Sequence, residues 1–147
     1  MHNPKRTVST YLLQLFTLAI VFQSTTIFSA ELEIKNAYAP EAPPVAPVMA
    51  GYMTLLNHST TDITITALKS SAFDQVELHS MSMKDGMMHM EQQHTFTIPA
   101  KGQRLLEPGG YHLMLIKPKK ILRAGDSIDV SFSYKDKTSQ KIIFKVK

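Results

Sequence analysis

Residues 76–94 read VELHSMSMKDGMMHMEQQH. At the centre stands Asp85-Gly86, a hairpin signal, because a two-residue turn that matches strand twist needs positive φ at both central positions. Closing the hairpin there pairs Lys84 with Met87, Met83 with Met88, Met81 with Met90, and His79 with Gln92. Directly opposed residues share a face, and every second residue returns to it. His79, Met81, Met83, Met88 and Met90 therefore fall on one side. Upstream in the same strand, Val76 and Leu78 take one face while Gln75, Glu77 and His79 take the other. The apolar side must be the core side, so His79 is expected towards solvent or at a rim.

Working outward, the neighbouring segments have the same character. LEIKNAYA, MAGYMTLLNHS, DITITALKS and YHLMLIKP are short runs of alternating or β-branched residues. They are bounded by the turn clusters PAKGQ, EPGG and LRAGD, and by the proline-rich stretch Pro40–Pro47, which reads as an extended loop. SIDVSFSYKD and KTSQKIIFKVK form a terminal hairpin whose lysines alternate with apolar residues, as on a solvent-facing strand side. No segment sustains a helical period, and KKILRA could form one turn at most. Many short strands with regular turns predict an all-β, antiparallel two-sheet sandwich or barrel.

The 147 residues suit a single domain. Lys5 and Arg6 followed by the apolar run Tyr11–Phe22 and a small-residue Ser29-Ala30 pair look like an export signal, which places the signal at 1–30 and the domain at 31–147. Phe28 is bulky where cleavage after Ala30 favours a small residue, so a retained N-terminal tether is the alternative. No cysteine follows the apolar run, which argues against a lipid-modified N-terminus. Periplasmic export is the expected localisation, with no stable membrane span in the mature chain. Removing 1–30 leaves 14 Lys+Arg against 12 Asp+Glu, a net charge of only +2. The remaining basic residues form no aromatic-interleaved patch, so nucleic acid is not an expected partner.

The chain has no cysteine. That excludes disulfides, thiol chemistry, zinc ribbons and thiolate copper sites. No nucleophile–base set or paired carboxylates stand out, and no enzymatic activity is expected.

What remains is histidine and methionine. On YHLMLI, His112 and Met114 are two apart and share a face, while Leu113 and Leu115 take the other. Imidazole and thioether from this strand, joined by another such pair from the hairpin, can converge on one ion. Thioethers are soft, carry no charge and need lose no proton, so the set favours Cu(I) over zinc or hard cations. Met49 and Met53 read as core filler, and His58 and His94 as surface residues. Met87 and His89 fall on the opposite face of the hairpin. Met83 and Met88 share the site face beside the turn, as a shielding collar or a docking patch.

The spacing is specific: His79, ten residues, Met90, twenty-one residues, His112, one residue, Met114, with Met81 close after the first histidine. It resembles the signature of the periplasmic copper chaperone family PCuAC, and the likeness runs from about Ile34 to the C-terminus. The resemblance implies a cupredoxin-like, Greek-key β-sandwich that binds Cu(I). It implies His79, Met90, His112 and Met114 as ligands, with Met81 optional and unassigned. It also implies a copper-accepting partner, the CuA site of cytochrome c oxidase subunit II. Copper storage or tolerance is an alternative role, and an exported adhesion or assembly module with a Met-rich interface is another.

Overall fold

The computed structural model describes residues 31–147; the expected signal at 1–30 lies outside them. Ten strands follow in order: β1 (Leu32–Ala39), β2 (Val48–Asn57), β3 (Ile63–Lys69), β4 (Phe73–Lys84), β5 (Met87–Gln92), β6 (Phe96–Ile98), β7 (Gln103–Leu106), β8 (His112–Pro118), β9 (Ser127–Tyr134) and β10 (Ser139–Val146). They are linked edge to edge as β5-β4-β8-β2-β1-β10-β9-β3-β6, with β7 also on β2. The all-β expectation holds. All ladders are antiparallel except one: β1 and β10 run parallel, through Tyr38–Lys145 and Ala39–Val146. That pairing ties the first strand to the last. KKILRA forms no helix; its residues lie in a bend, a loop and the start of the turn at 124–125.

β2 joins the two layers. Its first half, Val48–Gly51, pairs with β8, and its second half lies between β1 and β7. Gly51 marks the change of partner. A Cβ there would stand 3.2 Å from Leu113 Cβ and 3.3 Å from the Phe144 ring, so a larger residue would push the two layers apart.

The layers enclose Leu55, Phe73, Ile98, Leu113, Leu115, Ile128, Val130, Phe132 and Phe144, all fully buried. Met49 and Met53 lie in this core, as their strand context implied. On β10, Ile142, Phe144 and Val146 point inward while Lys141, Ile143 and Lys145 are exposed. Burial of Leu113 and Leu115, at about 1.5–3 kcal/mol each, fixes the register of β8. A one-residue slip would bury Met114 and expose both leucines. The core thus decides where the neighbouring side chains of β8 go.

Two short strands, β6 and β7, have no counterpart in the sequence reading. Each has three or four residues and takes its place by pairing, β6 with β3 and β7 with β2. Among the described residues no helix is long and apolar enough to cross a membrane.

Candidate metal centre

The hairpin closes as its turn chemistry dictates. Asp85 and Gly86 have φ of 52° and 76°, the pair of positive values the mirror-image turn requires. The register is His79–Gln92, Met81–Met90, Met83–Met88 and Lys84–Met87. On its other edge β4 pairs with β8, setting His79 directly opposite His112 and Glu77 opposite Met114. Three strands therefore bring one surface together. Its rungs carry Met114 and Glu77, then His112, His79 and Gln92, then Met81 and Met90, then Met83 and Met88.

The two imidazoles form the centre of this surface. Their ring centroids are 6.0 Å apart with planes 32° from parallel. A ring nitrogen lies about 1 Å from its centroid and binds a metal at about 2 Å, so two rings on one ion stand at most about 6 Å apart. The spacing sits at that limit. His112 is buried and the His79 side chain is only 13% exposed. Alternation allowed His79 either open solvent or a rim, and open solvent is not where it lies. It does share the face opposite Val76 and Leu78, but that face is half-buried here rather than open, with Glu77, Met81 and Met114 also partly covered.

Each ring is held by one nitrogen, which frees the other. His112 Nδ1 donates to the Gly110 carbonyl at 3.2 Å, so its Nε2 carries the lone pair. That carbonyl also accepts from the Met81 backbone N–H at 3.1 Å. One peptide oxygen therefore links the hairpin to the second histidine. The turn 107–111 presents it, with Gly109 at a φ of 81° and Gly110 N–H bonded to the Glu107 carbonyl. His79 Nε2 lies 2.8 Å from a Glu77 carboxylate oxygen and donates to it. His79 Nδ1 is buried and has no hydrogen-bond partner among the described residues. An orphaned buried acceptor costs about 1–3 kcal/mol, and a soft cation is a natural partner for an imidazole nitrogen so placed. Carboxylate–histidine and carbonyl–histidine pairs of this kind orient metal-binding rings.

Glu77 is the contributor the ligand reading passed over. Its signal was available: two residues before His79, it had to share the histidine's face. Among the described residues no three His, Cys, Asp or Glu side chains converge on one point. A soft-metal centre at the histidine pair would draw on the neighbouring thioethers for its further ligands. Met114 is beside His112 along β8, and Met81 is beside His79 along β4. Met90 stands one strand further out, opposite Met81, and is 52% exposed. By register Met81 is nearer the histidine pair than Met90 is, although the spacing resemblance left it unassigned.

The other described histidines keep to the surface. His58 is paired with Glu33 at 2.8 Å, and His89 and His94 are exposed. A concavity of about 670 Å³ lies by β1 and β10, away from these methionines.

A family model described as "Putative lipoprotein LpqE-like" matches residues 32–146, which is nearly all of the described chain. The chain belongs to the LpqE-like family. Among curated proteins it is 30% identical over 99 residues to "Putative lipoprotein Lxx21020" of Leifsonia xyli subsp. xyli, and 30% identical over 95 residues to the uncharacterized protein RP573 of Rickettsia prowazekii. Those stretches are 67% and 64% of this chain but only 60% and 52% of the two relatives. Among solved structures, this LpqE-like chain is similar to the copper-bound PCuAC domain from PmoF2, with a TM-score of 0.67 and 16% identity over 80% of this chain and 92% of that one. It is also similar to the Cu(I) form of DR1885 from Deinococcus radiodurans, with a TM-score of 0.65 and 25% identity over 84% and 85%. The cupredoxin-like fold that the family resemblance implied is the fold the LpqE-like chain shares with these copper-bound neighbours.

Proposed function

We propose that the protein is an exported Cu(I) carrier. The observation that bears most weight is the opposed pair His79–His112, each ring fixed through one nitrogen and His79 presenting the other, buried and unpartnered, beside thioethers. Two imidazoles and two thioethers, from His79, Met90, His112 and Met114, would bind a monovalent soft ion without adding charge. The Cu(I)-bound state of a structural neighbour supports the same ion here. A family described as lipoprotein supports export.

A carrier must also release. Met90 is the most exposed member of the set, so an acceptor's sulfur or nitrogen would displace it first, leaving the histidines until last. The acceptor we favour is the CuA site of cytochrome c oxidase subunit II, on the strength of the PCuAC spacing. No step in this exchange requires catalysis by the chain.

The test is a competitive Cu(I) titration of the protein, with X-ray absorption to count sulfur and nitrogen neighbours. A mixed sulfur–nitrogen shell, lost in His79→Ala and His112→Ala, is expected. Unchanged affinity in both variants would overturn the proposal.

A further inference from the structure

Beyond the histidine pair, the hairpin continues outward with methionines the carrier reading does not use. Met83 and Met88 are directly opposed, on the same face as Met81 and Met90, and are 65% and 52% exposed. Opposed residues have Cβ atoms about 4.5–5.5 Å apart, and the unbranched, three-torsion methionine side chain can bring two sulfurs onto one ion. Successive rungs on one face are about 7 Å apart. The surface is therefore a ladder: the histidine pair, then Met81–Met90, then Met83–Met88, with exposure rising towards the tip. No carboxylate stands on these two methionine rungs. The hairpin's other face differs in kind, pairing Ser80 with Glu91, Ser82 with His89 and Lys84 with Met87.

We infer that Met83 and Met88 form an outer, all-thioether station for Cu(I), reached from the histidine pair through Met81 and Met90. The inference rests on the carrier reading and extends it. Thioethers select the cuprous ion over zinc, calcium and magnesium. With no imidazole, the station holds its ion less tightly than the inner centre and passes it on at the tip. Met81 and Met90 can turn to either rung, so the ion moves by exchanging one thioether for another. No electron or proton changes hands in that exchange.

The experiment is titration of the protein with Ag(I), a soft, redox-inert stand-in for Cu(I), followed by mass spectrometry under native conditions. The wild type should take a first, tight ion and a second, weaker one. Met83→Leu/Met88→Leu should lose the second and keep the first. Both positions are exposed, so thermal unfolding should be unchanged. In His79→Ala/His112→Ala the tight ion should go while the weak one persists. A wild type with only the tight ion, or a leucine double variant that keeps both, overturns the outer station alone. If the tight ion survives removal of both histidines but not of Met83 and Met88, the carrier reading of the histidine pair falls and the thioether station stands.

Discussion

His79 on β4 and His112 on β8 face each other across a single rung of the sheet, 6.0 Å between ring centres, and each is tethered through one ring nitrogen, His79 by Nε2 to Glu77 and His112 by Nδ1 to the Gly110 carbonyl. A pair so arranged acts as one unit. His79→Ala and His112→Ala should each remove most Cu(I) affinity, and the double variant should lose little more. The expected coupling is at least about 1 kcal/mol, within the range for residues that share a partner. Competitive titration of the four proteins measures it. Strictly additive losses would mean that the two rings do not share an ion.

Glu77 holds His79 through Nε2 at 2.8 Å, and its action on copper must pass through that ring. Removing such an orienting partner costs about 10–100-fold in metal affinity. Glu77→Ala should show a loss of that order, whereas Glu77→Gln, whose amide oxygen can still accept the Nε2 proton, should recover much of it. Equal affinities for the alanine and glutamine variants would remove Glu77 from the positioning role.

The strands of the hairpin and the inward leucines of β8 were legible because alternation and the Asp-Gly turn are local signals. The register His79–Gln92 through Lys84–Met87 followed from that turn alone. The opposition of His79 and His112 was not legible in the same way. It depends on which strand lies beside β4, and thirty-two residues separate the two histidines. Only the spacing resemblance brought them together. β6 and β7 were missed because three or four residues carry no period, and their pairing with β3 and β2 makes them strands. How far His79 is covered escaped for a related reason: alternation assigns a face but does not say what covers it.

The Asp85-Gly86 turn holds β5 in place, since every residue of that strand is exposed and among the described residues it pairs only with β4. With Gly86 at a φ of 76°, Gly86→Val should cost about 1–2 kcal/mol through the left-handed backbone. The loss should be local. Amide exchange in Met87–Gln92 should quicken while β8 and β2 keep their protection, and Cu(I) affinity should fall through Met90 alone. Equal loosening of β2 would show that the hairpin is part of the global folding unit.

Tyr134 sits at the opposite end of the sequence's chemistry and reports on the fold rather than the metal. Burial, with the negative charge of Asp136 second, pushes its hydroxyl up to about 12. The hydroxyl donates to Gln140 at 2.9 Å across the β9–β10 hairpin. The unfolded tyrosine ionises near 10, so between about pH 10 and 12 the unfolded chain binds fewer protons than the folded one. Stability from this group is complete below pH 10 and declines as pH rises through that window. Tyr134→Phe should unfold less steeply there than the wild type, once the decline common to both is subtracted. Urea unfolding of the two proteins at pH 8, 10 and about 11 checks it. Parallel curves for the two proteins would show that Tyr134 keeps an ordinary tyrosine's proton affinity.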